Sequence, residues 1–183
     1  MYDPPNSTMT ARQFYDWQTA GGGGDVQLLV AALESAEIPW CMIGGLAVNH
    51  WATEPMATAD VDIVIATDRI EEAVRLLGEK GFTAKHFEWS INLRGRSKVS
   101  VQISTEDVYR TFPERAVPAD VHGILMRVAS LEDTLTGKLL AWRDSTRRAS
   151  KRQKDLADIA RLIEAHPEIS GRIPREVSER LER

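Results

Sequence analysis

The chain has 183 residues, 43% hydrophobic and 27% charged, with a formal net charge of −4. That length suits one domain or one domain with a small appendage, and the charge excludes a polycation, so contact with nucleic acid would need a local basic patch. A single cysteine, Cys41, excludes a disulfide framework and points to a reducing cytoplasm, and no apolar run is long enough to span a bilayer or to serve as a signal peptide.

MYDPPNST reads as a flexible start, and Thr10 to Thr19 predicts a short helix with Phe14 and Trp17 three apart. GGGG at Gly21 to Gly24 breaks that helix, so residues 1–24 are expected to form a flexible arm. Asp25 is placed as the N-cap of an amphipathic helix carrying Leu29, Ala32, Leu33 and Ala36. IPWCMIGG is a short apolar strand ending in two glycines, and Leu46 to Ala52 has the composition of a helix beginning there. Val61 to Ala66 is a second strand, and Asp68 with Glu71 forms a capping pair for a helix stopped at Gly81. GFTAKHFEWS, INLRG and KVSVQIST read as successive strands, with a hairpin turn at RGR, and Ile124 to Val128 can supply one more.

After Ser130 the pattern is helical only. Ser130 and Asp133 cap a helix with Leu131, Leu135, Leu139 and Trp142 on one stripe, and a second helix starts near Lys151 with Leu156, Ile159, Ala160 and Ile163 on one face. A short last helix is expected after Pro167. The expected fold class is α/β (α+β): a mixed sheet flanked by helices over residues 25–129, then a C-terminal helical region over residues 130–183.

The strand ATADVDIVIA raises a chemical question. Asp60, Asp62 and Val64 share one face, and Val61, Ile63 and Ile65 share the other, apolar face. Carboxylates so close repel each other. Either they sit at an exposed strand start tied to a nearby Arg or Lys, or they hold a divalent cation such as Mg²⁺ together with substrate phosphates. Upstream, Gly44 and Gly45 stand at a strand-to-helix junction, where backbone N–H groups can approach a phosphate. Taken together, the two features describe a site for a metal-bound triphosphate.

The order strand, Gly-Gly, helix, strand with D-x-D resembles the nucleotidyltransferase superfamily built on the polymerase-β-like palm. IGGLAVNHWA with TADVDIVI looks most like the bacterial group that includes the AbiEii-type toxins. SLEDTLTGKLLAWRDSTRRASKRQKDLADIARL is similar to that group's C-terminal helices, with their K…R…KD..D pattern; the likeness spans Ile38 to Ile163. It implies transfer of a nucleoside monophosphate from an NTP to a hydroxyl of an RNA, protein or small-molecule acceptor, in a toxin–antitoxin or defence system with a partner protein. On this resemblance Asp60 and Asp62 are catalytic and hold Mg²⁺, Gly44 and Gly45 cradle the β- and γ-phosphates, and Lys138 reaches a phosphate.

Three positions depart from the family pattern. Gln102 stands where a third carboxylate is expected, Gly45 where relatives often have Ser, and Met56 where they often have a basic residue. An amide can ligate a metal but cannot act as a base, so Gln102 opens the alternative of a non-catalytic module acting through a partner. Glu106 or Asp107, just past the strand, are the carboxylates placed to reach in. Lys138 has a second reading, its stem lying along the apolar stripe. Lys151 and Lys154 lie four residues before Asp155 and Asp158, a spacing that simple helix salt bridges explain equally well. The basic run Arg143 to Lys154 reads as an RNA-contacting patch or as a solvated loop. The four histidines lack zinc-ligand spacing, and Trp40, Trp51 and Trp89 are placed as core or pocket wall.

Overall fold

The computed structural model describes residues 10, 12–13, 15–16 and 21–182. In chain order the elements are α1 (Gly22–Ser35), β1 (Trp40–Ile43), α2 (Gly44–Trp51), β2 (Val61–Ile65), α3 (Ile70–Glu79), β3 (Thr83–His86), β4 (Ser90–Arg94) and β5 (Ser100–Ser104). They are followed by β6 (Val117–Val121), β7 (Ile124–Val128), α4 (Leu131–Arg143), α5 (Ala149–Ala165) and α6 (Arg175–Leu181). The seven strands form one mixed sheet in the order β3-β4-β5-β2-β1-β7-β6. This is the mixed α/β architecture expected from the sequence. Among the described residues no helix is long and apolar enough to cross a membrane.

The two faces of the sheet have different cover. Val61, Ile63 and Ile65 of β2 pack with Trp40 and Met42 of β1 against Leu29 and Leu33 of α1 and Ala73 and Leu77 of α3. On the opposite face Cys41, Ile43 and Val64 meet Tyr109, Phe112 and Ala129. A third cluster joins Val48 of α2 to Leu135 of α4 and to Ile159 and Leu162 of α5. The C-terminal helices are thereby packed onto the helix that follows the Gly-Gly turn.

Several local expectations change. Gly22 to Gly24 do not interrupt the chain; they are the first turn of α1, and only Gly21 takes a left-handed conformation, φ +89°. The cap comes from Asp16, whose Oδ1 accepts from the Gly23 N–H at 2.7 Å. A Cβ on Gly23 would lie 2.5 Å from that oxygen, which explains a glycine there. Asp25 is therefore not the N-cap. Its carboxylate accepts from Ser97 N at 2.7 Å and Ser97 Oγ at 2.6 Å, clamping the turn between β4 and β5. Of the short helix expected over Thr10 to Thr19, Arg12, Gln13, Tyr15 and Asp16 are helical, while Phe14 and Trp17 lie outside the described residues, as does the start MYDPPNST.

Asp68 and Glu71 make no capping box. A 3-10 turn, Thr67–Arg69, leads into α3 without a side-chain cap, and Arg69 Nη2 instead donates to Glu72 Oε1 at 3.1 Å. The stop at Gly81 is real, with φ +96°, and Phe82 N–H closes the helix end on Leu77 C=O at 3.0 Å. Ser130 caps α4 as expected, its Oγ accepting from Asp133 N at 3.1 Å. The strand missed in the sequence is β6, which contains Pro118. It lies at the sheet edge, where a residue with no N–H to donate is tolerated.

Candidate active site

β2 is the centre of the site. It pairs antiparallel with β1, Ile43 opposite Asp62, and parallel with β5, Asp62 opposite Gln102. β5 in turn sets Gln102 opposite Asn92 of β4, so Asp62, Gln102 and Asn92 form one row across three strands. Pleating puts Asp62 on the face of Val64, away from the α1–α3 core. Further along that face Tyr109 and Phe112 cover Val64, whereas Asp62 is left at the wall of a cleft of about 530 Å³. That volume is in the range of small-molecule sites.

Gly44, Gly45, Asp60, Asp62 and Lys138 all line this one cleft, with Gln102, Glu106, Tyr109, Arg147, Lys151 and Lys154. Gly44 has φ +70°, and a Cβ there would run into Asp62 Oδ2, so only glycine lets the turn pass so close to the carboxylate. A Cβ on Gly45 would stand 3.1 Å from Thr58 Oγ1, so a serine there would need the Thr58 side chain to give by a few tenths of an ångström. α2 starts at Gly44, and Ile43 at its N-cap offers no side-chain oxygen, so the first-turn N–H groups are not capped by the chain.

The loop carrying Asp60 is tied down from three directions. Asn49 Nδ2 donates to Met56 C=O at 2.6 Å, and its Oδ1 accepts from Met56 N at 2.9 Å. Arg161 Nη2 donates to Asn49 Oδ1 at 2.8 Å and also to Glu54 C=O. Tyr15 donates its hydroxyl to Ala59 C=O at 3.1 Å, one residue before Asp60. The loop thus receives a guanidinium from α5. Arg161 and Tyr15 carried no sequence signal, because each acts across more than 40 residues of chain, and Asn49 bridges only seven residues to Met56, through a loop without a motif.

Among the described residues neither Asp60 nor Asp62 has a hydrogen-bond or ion-pair partner in the protein. The expectation of a nearby Arg or Lys tying the pair therefore fails. Burial pushes the Asp62 carboxyl above its ordinary range; Lys138 pulls it down and Asp60 pushes it further up, with Arg147 and Lys151 opposing. The Tyr109 phenol is pushed up to about 12, first by burial and then by Glu106. Two carboxylates and the Gln102 amide are hard oxygen donors, a set that fits a divalent cation completed by substrate phosphates. No cluster of three His, Cys, Asp or Glu able to hold a metal occurs among the described residues, so Glu106 is not brought in as a third ligand. Asp107 is turned out to solvent beside Arg110.

Lys138 is buried, with Nζ 3.1 Å from Asp155 Oδ1 and 2.7 Å from Asp158 Oδ2. Arg147 Nε reaches Asp155 Oδ2 at 2.7 Å and Arg161 Nη1 reaches Asp158 Oδ1 at 2.9 Å. These inward contacts replace the expected pairs of Lys151 with Asp155 and Lys154 with Asp158. The two lysines line the cleft and have no ion pair among the described residues. The basic run is divided: Arg152 donates to Trp142 C=O at 2.8 Å, and Arg143 pairs with Glu176 at 2.9 Å. Trp40 is core at 1% exposure, whereas Trp89 stands at the cleft with 59% of its surface exposed.

Comparison with known proteins agrees with this fold. The chain is similar to the structure of ANT(2″)-Ia in complex with adenylyl-2″-tobramycin, at 12% identity and TM-score 0.58, over 84% of this chain and 90% of that one. It is similar to the lincosamide antibiotic adenylyltransferase LnuA, at 12% identity and TM-score 0.53, over 76% and 96%. An antigenic nucleotidyltransferase-like protein from Paracoccidioides brasiliensis matches at 20% identity and TM-score 0.51, over 86% of each chain. Among curated proteins none matches the sequence. The model of the nucleotidyl transferase AbiEii toxin family, type IV toxin–antitoxin system, matches residues 27–183. The chain belongs to that family, and is a nucleotidyltransferase in class.

Proposed function

We propose that the cleft binds an NTP and Mg²⁺ and transfers the nucleoside monophosphate to a hydroxyl of an RNA acceptor, as the toxin of a toxin–antitoxin pair. The observation that carries this reading is that Asp60 and Asp62 have no partner among the described residues and line one cleft with the Gly44–Gly45 turn, Lys138, Lys151 and Lys154. Asp60 is exposed, but Asp62 is half-buried, and a carboxylate withdrawn from water without a partner is costly; a ligand that neutralises it gives a reason for its presence.

In this reading the Gly44–Gly45 turn and the first-turn N–H groups of α2 hold the β- and γ-phosphates. Asp60 and Asp62 would hold Mg²⁺. A divalent cation there supplies Lewis-acid stabilisation of the phosphoryl oxygens and of the leaving pyrophosphate. Lys138, fixed by Asp155 and Asp158, keeps one of its three N–H donors for a phosphate oxygen, and Lys151 and Lys154 add cationic charge. Gln102 orients, through its amide, what a carboxylate would otherwise deprotonate. Glu106 is the remaining cleft carboxylate without a partner among the described residues, and it takes the proton of the attacking hydroxyl. The buried Cys41 thiol, pushed up to about 12 by burial, is inert and fits a reducing cytoplasm.

The row Asp62, Gln102, Asn92 favours one other reading, a non-catalytic module that keeps the nucleotide pocket and acts through a partner protein. The test is incubation of native chain and Asp62→Ala with α-labelled NTPs, Mg²⁺ and cell RNA. Label on RNA with the native chain alone supports the enzyme. NTP binding without transfer supports the module, and transfer by both chains removes Asp62 from the site.

A further inference from the structure

Trp89 and Phe87 are 59% and 49% exposed on the turn between β3 and β4, although among the described residues the other tryptophans are buried or half-buried and Phe82 and Phe112 are core. The turn is not loose. Phe87 N–H donates to Ser90 C=O at 2.8 Å, and Thr105 N–H donates to Trp89 C=O at 3.0 Å, so the turn is pinned to the end of β5. Trp89 and Ser90 line the cleft that holds Asp60 and Asp62.

The side of the cleft on which Trp89 stands decides what it can meet. In the sheet β1 lies on one side of β2, and β5 and β4 on the other. The Gly44–Gly45 turn leaves the end of β1, so the leaving pyrophosphate is on the β1 side. In-line displacement requires the attacking hydroxyl on the opposite side of the phosphorus, which is the side of β5, β4 and Trp89. We propose that Trp89 is the acceptor platform, stacking the terminal base of a single-stranded RNA whose hydroxyl is presented beside Gln102. This inference rests on the nucleotidyltransferase reading given above.

The exposed aromatic turn favours an RNA acceptor, whose bases can stack on it, although Glu88 lies in the same turn and Glu106 lines the cleft. Lys85 Nζ lies 5.2 Å from the Phe87 ring centroid, and Lys151 and Lys154 line the cleft without an ion pair among the described residues. An exposed aromatic turn and lysines lining the same cleft are a combination that holds single strands, rings stacking bases and cations meeting phosphates. Trp89 is a positioning residue: it touches the acceptor and moves no proton.

The test uses the full chain, a short mixed-sequence single-stranded RNA oligonucleotide and a non-hydrolysable NTP analogue. Trp89→Ala is expected to weaken oligonucleotide binding roughly 5- to 150-fold, to leave the affinity for the analogue in place, and to raise KM for RNA with little change in kcat. Trp89→Phe is expected to restore most of the loss. Unchanged RNA affinity overturns the platform, as does an equal loss of analogue affinity, which would assign the indole to the nucleotide's own base. Label delivered to protein instead of RNA also overturns it. Oligonucleotide binding that depends on Trp89 in a chain that transfers no label keeps the platform and removes the transferase reading instead.

Discussion

Asp60 and Asp62 before and within β2, and Asp155 and Asp158 within α5, are the same chemistry in opposite surroundings. The second pair is almost completely buried, at 1% exposure each, and every charge is answered: Lys138 sits between the two, Arg147 closes on Asp155 and Arg161 on Asp158. The first pair lines an open cleft and is answered by nothing in the described chain. A carboxylate answered by fixed cations holds helices together; one left unanswered beside a glycine turn awaits a cation from outside. Lys138 belongs to both regions, since it is locked by the second pair while its charge acts on Asp62 of the first.

The contrast can be broken at either end. The largest expected effect is on turnover: Asp62→Ala should reduce nucleotidyl transfer on the order of 10⁴-fold, as for members of a catalytic unit, with the thermal midpoint kept. Asp158→Ala should do the reverse. Leaving the Lys138 ammonium short of a partner in a buried site is expected to cost roughly 3–5 kcal/mol, read as a lowered midpoint in denaturant, while transfer per folded molecule falls less than about tenfold. Lys138→Met sharpens the comparison. Arg147 and Arg161 still answer both aspartates, so its stability loss should be smaller than that of Asp158→Ala, and NTP affinity should drop about tenfold if the lysine also meets phosphate. Unchanged NTP affinity would make Lys138 structural only.

The smallest effect is the most diagnostic of the first pair. Because burial raises Asp62 above its ordinary value of 3.8, the folded state binds more protons than the unfolded one over the pH range just above that value. Stability from this group is therefore greatest below pH 3.8 and falls as pH rises through the folded-state pKa. Asp62→Asn removes that loss. In metal-free buffer at pH 7 it should be more stable than the native chain, with the difference vanishing at low pH. A native chain more stable than Asp62→Asn at pH 7 would mean that a partner for the carboxylate has been overlooked.

Most of the fold was legible because apolar runs and punctuation agree along the chain: VDIVI is buried at every position but Asp62, Gly81 stops α3, and Ser130 caps α4. The gathering of Gly44, Gly45, Asp60, Asp62 and Lys138 into one cleft was legible through motif and resemblance. What sequence hid was direction. Lys151 and Asp155 stand four apart, but Asp155 turns inward to Lys138 and Arg147, and no spacing rule says which way a helix faces before its neighbour is known. Asp25 looked like a cap because it precedes an apolar stripe; its partners are more than 70 residues away. β6 was hidden by Pro118, whose presence argues against a strand everywhere except at an edge.

The central claim is that Asp60 and Asp62 are left unanswered in order to hold a cation with a nucleotide. Calorimetric titration of Mg²⁺ into the chain saturated with a non-hydrolysable NTP analogue tests it directly, comparing native chain, Asp62→Asn and Asp158→Asn. The account predicts saturable Mg²⁺ binding by the native chain and by the folded fraction of Asp158→Asn, and its loss in Asp62→Asn. Equal Mg²⁺ binding by native chain and Asp62→Asn would contradict it.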